Sequence, residues 1–333
     1  MFIQQNRKHI LIVTHSKIPA IKYGGIERVI WDLGKELVNN GYKVSYLVSP
    51  GSYCEFAQVL AYDSNISINA QIPDDVDLVH FNFNPKEEIK KPYIVSVHGN
   101  PSIGEVLNVQ SVFVSKDHAN RYNSDEFVYN GLDWRNYPKV NLKQNRTHFH
   151  FLANAAWRVK NVKGAIAICK SSNQRLEVLG GNRFNMKMGL RLTLDRHVRF
   201  RGMVDNEQKS KYLAASKGLI FPVLWHEPFG LAIIESLYFG CPIFATPYGA
   251  LNEIVGKEYG FLSASADELA LALLNADDYD KKLCHEYAIE NFSADVMTIG
   301  YIQLYERVLN GEQLNKNAPT LKEEPTQKFL RYS

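Results

Sequence analysis

The stretch HILIVTHSKIPAIKYGGIERVIWDLGKELVNNGYKVSYLVS (9–49) decides the fold. It opens on the continuous apolar run HILIVTH (9–15), the pattern of a strand covered on both faces. After a turn holding Gly24 and Gly25, Ile26, Val29, Ile30, Leu33, Leu37 and Val38 recur at helical spacing, and Asn40-Gly41 closes the helix. KVSYLVS (43–49) then reads as a second strand. Strand, helix, strand is the unit of a parallel sheet, because parallel neighbours need a crossover.

The rhythm continues outward. VDLVHFN (76–82), PYIVSVHG (92–99), SVFVS (111–115) and FVYNG (127–131) read as further strands. It stops at DWRNYPKVNLKQNRT (133–147), where polar residues dominate, and a domain boundary is expected there. It restarts with the strand HFHFLANA (148–155), the helix NVKGAIAICKS (161–171), and the strands RLEVLGG (175–181), HVRFRG (197–202), GLIFPV (218–223) and PIFATP (242–247). The expected fold class is α/β, with two doubly wound Rossmann-like domains (1–142 and 143–293) facing across a cleft. SADVMTIGYIQLYERVL (293–309) is an amphipathic closing helix with Ser293 as its N-cap, expected to cross back to the first domain. The polar, proline-containing tail 311–333 is expected to be mobile.

The totals fit that picture. The chain has 333 residues, 45% apolar and 22% charged, with a net charge of +3. Such a balance does not ask for a nucleic-acid partner. The small basic surplus lies in the second half, where an anionic small ligand could use it. Four cysteines, Cys54, Cys169, Cys241 and Cys284, form no C-x-x-C and read as buried, reduced thiols suited to the cytoplasm. No run approaches ~20 apolar residues, so the expectation is a soluble protein, at most peripheral to the inner membrane surface.

The chemistry gathers in HEPFGLAIIESLYFGCPIFA (226–245). Glu227 and Glu235 stand eight residues apart in an almost wholly apolar run. A buried carboxylate needs a partner. With Pro228 in the first turn, a helix is expected over Phe229–Phe239, and the amides of Phe229, Gly230 and Leu231 would form an anion site at its start. Glu227 at the helix mouth would suit sugar hydroxyls. Glu235, about two turns in, calls for an arginine, a lysine or ligand hydroxyls such as the vicinal pair of a ribose. The alternative for either acid is a structural ion pair or a charge–dipole contact. WRVKNVKGA (157–165) sets Arg158 and Lys163 at a strand-to-helix turn, where two cations could neutralise a diphosphate without a metal. Lys160 between them reads as solvated.

Other candidates are weaker. Gly24 and Gly25 would let backbone amides approach a phosphate, yet YGGIERV (23–29) is not G-x-G-x-x-G. His98 falls at a strand end, where it could meet a sugar hydroxyl or orient an acceptor. His15 and His80 also lie near strand ends. PDDVD (73–77) reads as a polar turn rather than a metal site, and no other cluster has metal-ligand spacing.

Together these residues resemble the retaining GT-B glycosyltransferases of family 4. EPFGLAIIE resembles that family's E-x7-E motif, and PIFATPYGALNEIV the segment after it. RVKNVKG is similar in spacing to its R-x4-K-G diphosphate signature, YNGLDWRNYP to the closing motif of its first domain, and VRFRGMVDNEQKSKYLAAS to its nucleotide-side loop and helix. ANAAWR departs from the usual glycine-rich approach to the arginine. The resemblance implies that Arg158 and Lys163 bind the donor diphosphate in place of a metal, with no cofactor. It implies that Glu227 contacts the transferred sugar beside the amides of Phe229, Gly230 and Leu231, and that Glu235 holds the ribose. Gly24 and Gly25 would meet the phosphates from the opposite domain, His98 would lie near the donor sugar, and the base would lie near Gly180, Met203 and Val204. The implied reaction moves a hexose-type sugar from a UDP- or GDP-sugar to a sugar or lipid-linked hydroxyl, as in polysaccharide biosynthesis. The rival readings are a nucleotide-sugar 2-epimerase, a non-catalytic sugar-nucleotide binder and a nicotinamide oxidoreductase.

Overall fold

In the computed structural model, which describes residues 7–20, 24–185, 191–324 and 326–333, the opening βαβ is built as its periodicity predicts. β1 (His9–Val13) is buried at every position and pairs in parallel with β2 (Lys43–Val48), and α1 (Gly25–Asn39) connects them. Asn40 caps α1, its side chain donating to Glu36 O at 2.8 Å, and Gly41 turns the chain at φ 86°.

β3 (Gln58–Ala61), α2 (Ile68–Gln71), β4 (Leu78–Phe81), β5 (Tyr93–Val97), β6 (Ser111–Phe113) and α3 (Lys116–Arg121) complete the first sheet region. Its order is β3-β2-β1-β4-β5-β6, all parallel. The order reverses between β1 and β4, the switch point of a doubly wound sheet. FVYNG is not a strand: Phe127 makes a single bridge to Phe113, and Leu132 bridges to Ser293 instead. Gly131 meets the Ser293 carbonyl so closely that a side chain would overlap it. PDDVD is a turn that ties down the amino end of the central strand β1, with Asp75 Oδ2 3.2 Å from His9 Nδ1 and Asp77 Oδ2 accepting from His9 N at 2.6 Å.

The second sheet comprises β7 (His148–Leu152), β8 (Leu176–Leu179), β11 (Val198–Phe200), β12 (Ser216–Phe221), β13 (Ile243–Ala245) and β14 (Gly260–Leu262), while β9 (Phe184–Asn185) and β10 (Arg191–Leu192) form a separate hairpin. Its order is β11-β8-β7-β12-β13-β14. Without the hairpin this is the arrangement of the first sheet, with the switch point between β7 and β12. The helices are α4 (Val162–Ser171), α5 (Asn206–Ala214), α6 (Leu231–Tyr238), α7 (Leu251–Ile254), α8 (Ala266–Ala272) and α9 (Lys281–Asn291), followed by the closing α10 (Ala294–Leu309).

The chain forms two units. Unit 1 is Met1–Asp133 with Phe292–Glu324; unit 2 is Trp134–Asn291 with Pro325–Ser333. The boundary thus falls at the start of the polar stretch 133–147, not near 142. Arg146 shows why: it is 7% exposed and donates to Ser216 O and Phe239 O, both at 2.6 Å, so this polar stretch is built into unit 2. α10 belongs to unit 1, where Tyr305 and Tyr301 reach a buried relay: His80 Nδ1 is 2.7 Å from the Tyr305 hydroxyl, His80 Nε2 is 2.7 Å from Ser96 Oγ, and Ser96 Oγ is 2.7 Å from the Tyr301 hydroxyl.

The tail is laid down on both units, contrary to the expected mobile segment. Asn315 N, Thr320 N and Lys322 N donate to Val109 O, Tyr122 O and Arg121 O at 3.0, 3.0 and 2.9 Å. Its polar groups are satisfied by main-chain partners, which lets a segment without an apolar pattern stay ordered. Three of the cysteines are buried and Cys54 is half-buried, all four as free thiols. No helix among the described residues is long and apolar enough to cross a membrane.

Candidate active site

In a doubly wound sheet, ligands bind at the carboxyl ends of the strands, at the switch point. In unit 2 that point is flanked by the loop after β7, which carries Arg158, and the loop after β12, which carries Glu227. The two loops are bonded into one piece. Leu224 N donates to Val159 O at 2.7 Å, and Asn161 Nδ2 donates to Pro222 O at 3.0 Å. Asn161 takes the left-handed conformation (φ 53°) and caps α4 by accepting from Gly164 N at 3.0 Å.

Lys160, read from sequence as solvated, is the cation of this site with the firmest anchor. Its side chain is 12% exposed, and Nζ lies 2.6 Å from Glu227 Oε2. The same carboxylate oxygen accepts from Trp225 Nε1 at 2.7 Å, and the ammonium sits about 5 Å over the rings of Phe221 and Trp225. Glu227 is therefore a buried, paired and oriented carboxylate. Its backbone is fixed too: Ala250 N donates to Glu227 O at 2.9 Å. Gly249, at φ 67°, comes so close that an added Cβ would stand 2.5 Å from Glu227 N. Arg158 and Lys163 are exposed at the same strand end. Among the described residues no carboxylate pairs with either.

The helix that follows starts later than its sequence suggests. α6 begins at Leu231, with Gly230 at φ 94° as its N-cap, so Pro228 and Phe229 precede it. A Cβ on Gly230 would stand 2.8 Å from Ile233 Cδ1. Of the three amides expected at the helix start, only that of Leu231 is in the first turn. Phe229 is buried.

Glu235 meets Tyr137 and Lys209 inside unit 2. Its Oε1 accepts from the Tyr137 hydroxyl at 2.6 Å and from Lys209 Nζ. Its side chain is 3% exposed and that of Lys209 7%. The acid that called for a lysine has found one, on α5. The residue beside it, Ser236, bonds at 2.8 Å to His150, whose burial pushes it down to about 3 and keeps it neutral.

Gly180 and Gly202 end β8 and β11. Gly180 N donates to Gly202 O at 2.7 Å and Gly202 N to Gly181 O at 3.1 Å, a clasp that closes that end of the sheet. At φ 121° Gly180 packs on the Ala153 carbonyl, where no side chain would fit. Met203 is exposed and Val204 half-buried just beyond it. Arg158, Lys163, Glu227, Leu231, Gly180, Met203 and Val204 thus share one edge of one sheet.

Three candidates lie in unit 1. Gly24 is the N-cap of α1 and Gly25 its first residue, and the preceding residues 21–23 fall outside the described ones. His98 follows β5. Its Nε2 donates to Asn82 Oδ1 at 2.8 Å, while Nδ1 is enclosed with no partner among the described residues. Burial pushes His98 down to about 4, so at neutral pH Nδ1 is a lone-pair acceptor. His80 belongs to the relay beneath α10, and the ring of His15 stacks on Phe83 at 3.8 Å.

Sequence reading missed Lys160, Trp225, Lys209 and Tyr137. Lys160 left a trace as a lysine between two motif cations, and Trp225 stands two residues before Glu227 on the same loop. Tyr137 and Lys209 fall inside motif segments, but their meeting with Glu235 is set by tertiary structure.

The comparisons bear on the fold and on the span of unit 2. Residues 133–291 match the family model described as glycosyl transferases group 1, a span that coincides with the main segment of unit 2 to within a residue. Sucrose synthase 2 of Tulipa gesneriana is 28% identical over 155 residues, 39% of this chain and 19% of that protein. The matched stretches span about a third or less of the length of the curated relatives. AviGT4, a glycosyltransferase involved in avilamycin A biosynthesis, matches with a TM-score of 0.74 at 20% identity, over 92% of this chain and 99% of that one. Anabaena HepE, solved in complex with UDP-glucose, matches with a TM-score of 0.64 at 16% identity, over 91% and 100%. At these identities the solved structures speak for the fold alone. The chain has the GT-B fold, and its residues 133–291 are similar to the glycosyl transferases group 1 family.

Proposed function

We propose that this chain is a retaining, metal-independent glycosyltransferase that moves a hexose-type sugar from a nucleotide-diphosphate donor, UDP- or GDP-linked, to a sugar or lipid-linked hydroxyl. The observation that carries this reading is the switch point of unit 2, where exposed Arg158 and Lys163 share a bonded pair of loops with the oriented carboxylate of Glu227.

Each part has a step to perform. The bond between the anomeric carbon and the donor phosphate breaks, and the diphosphate leaves with the electron pair. Arg158 and Lys163 stabilise that growing charge, the work a metal ion does elsewhere. Glu227, held by Lys160 and Trp225, accepts hydrogen bonds from hydroxyls of the sugar and fixes its pose. The acceptor oxygen bonds to the anomeric carbon from the face that the phosphate leaves, and its proton passes to a departing phosphate oxygen. Met203 and Val204 flank the base. HepE, of the same fold and bound to UDP-glucose, supports a uridine donor as the first to try.

The test is release of nucleoside diphosphate from a panel of UDP-, GDP- and ADP-sugars with hydroxyl acceptors, with and without EDTA, and the product anomer read by NMR. Transfer with retention that persists in EDTA is expected, and Arg158→Ala or Lys163→Ala should cut turnover about 10²-fold. Conversion of donor with no acceptor present, or full activity in both variants, would overturn the reading.

A further inference from the structure

Residues 326–333 return to unit 2 and run across the carboxyl ends of its strands. Leu330 N donates to Leu224 O at 2.8 Å, after β12. The Tyr248 hydroxyl donates to Arg331 O, after β13. Ser333 N donates to Ala264 O at 3.1 Å and Ala266 N to Ser333 O at 2.6 Å, after β14. Leu224 thus bonds on one side to the Arg158 loop, through Val159, and on the other to this segment. The segment meets the phosphate side of the site at two points. The ring of Phe329 lies 4.9 Å from the Arg158 guanidinium carbon. A Cβ on Gly164, the residue after Lys163, would stand 3.0 Å from the Tyr332 hydroxyl.

A guanidinium can be oriented by a carboxylate or by an aromatic face. A carboxylate fixes it but occupies its N–H donors and cancels its charge. An aromatic face holds the plane and leaves the in-plane donors and the charge available for a bidentate oxyanion. Arg158 has the second arrangement. We infer that Phe329 is a positioning residue that presents Arg158 to the donor diphosphate, delivered by the segment 326–333. This rests on the reading of Arg158 as a diphosphate contact. It adds a requirement that the glycosyl transferases group 1 span, 133–291, does not contain.

The experiment compares Phe329→Ala, Phe329→Leu and Phe329→Trp, each also in an Arg158→Ala background, by kcat and KM for donor and by inhibition with the nucleoside diphosphate and monophosphate. Phe329→Ala is expected to lower kcat/KM about 3- to 30-fold and to weaken the diphosphate more than the monophosphate. Phe329→Trp should restore both, Phe329→Leu should not, and none should matter once Arg158 is alanine. Equal rescue by leucine, or an undiminished effect of Phe329→Ala in the Arg158→Ala background, would reduce Phe329 to packing and overturn the inference. If Arg158→Ala is impaired while Phe329→Ala is not, this inference alone falls. If Arg158→Ala matches wild type, the diphosphate role of Arg158 falls and this inference with it.

Discussion

Lys160 Nζ lies 2.6 Å from Glu227 Oε2, across the two loops that flank the switch point of the second sheet. Glu227 is buried and Lys160 mostly so, and removing the lysine leaves the carboxylate's charge largely away from water. Lys160→Met should lower Tm and also turnover, because it releases the carboxylate that orients the sugar. Glu227→Gln keeps the shape and the Trp225 contact but weakens each hydroxyl bond, and should cost about 10- to 10²-fold in kcat/KM. Combining the two should cost less stability than the single losses added together. Strictly additive Tm changes would show that the pair is not coupled.

Glu235 tests a different boundary, between holding the fold and holding the ribose. With Lys209 and Tyr137 as partners and almost no exposure, it has the surroundings of a structural pair. Glu235→Gln should destabilise by about 3–5 kcal/mol, as breaking a buried ion pair does. Glu235→Leu with Lys209→Met should recover most of that. Donor KM separates the roles: a recovered Tm with donor KM raised tenfold or more assigns the ribose to Glu235, and an unchanged KM assigns the residue to the fold.

The sheets were legible because a doubly wound strand is a run of apolar residues, and β1 is buried at every position. β3 was not, since QVLA lies on an edge and is half-exposed, so it carries no clear pattern. The motif acids and bases were legible as types in a spacing. Their partners were not, because Lys209 meets Glu235 and Phe329 meets Arg158 through tertiary packing that no local period records. The tail was misread for the same reason: its order comes from main-chain hydrogen bonds, which composition does not reveal.

Unit 1 should show opposing pH effects. Burial raises Asp32 to about 7, although Asp133 N donates to its Oδ2 at 2.9 Å. Folded, it binds a proton that the unfolded chain gives up near its usual carboxylate range of about 4. Its contribution is therefore full at low pH and lost as pH rises through 7. His80, His98 and His118 run the other way: burial holds them at about 3, 4 and 3, so their contribution is present above about 6.5 and lost as pH falls. Asp32→Asn should thus gain stability relative to wild type on going from pH 5 to pH 8, by up to about 1.4 kcal/mol per pH unit. Calorimetry giving a constant offset across that range would rule out titration of Asp32.

Gly249 and Gly41 separate backbone strain from displacement of the site. Both hold positive φ, 67° and 86°, so alanine at either carries a comparable conformational cost of about 1 kcal/mol. Around Gly41 a Cβ would meet nothing within 4 Å. At Gly249 it would meet the backbone nitrogen, and also the carbonyl, of Glu227. Relief requires the chain at Glu227 to move, and a shift of even 1 Å at an orienting group is felt strongly in rate. Gly41→Ala is expected to lower Tm slightly and leave kcat unchanged. Gly249→Ala should lower Tm more and reduce kcat about 10²-fold, with the Lys160–Glu227 coupling diminished in the double-mutant comparison. Equal kcat in the two variants would mean that the carboxylate keeps its place when its backbone is pushed, and that Lys160 and Trp225 hold it without help from Gly249.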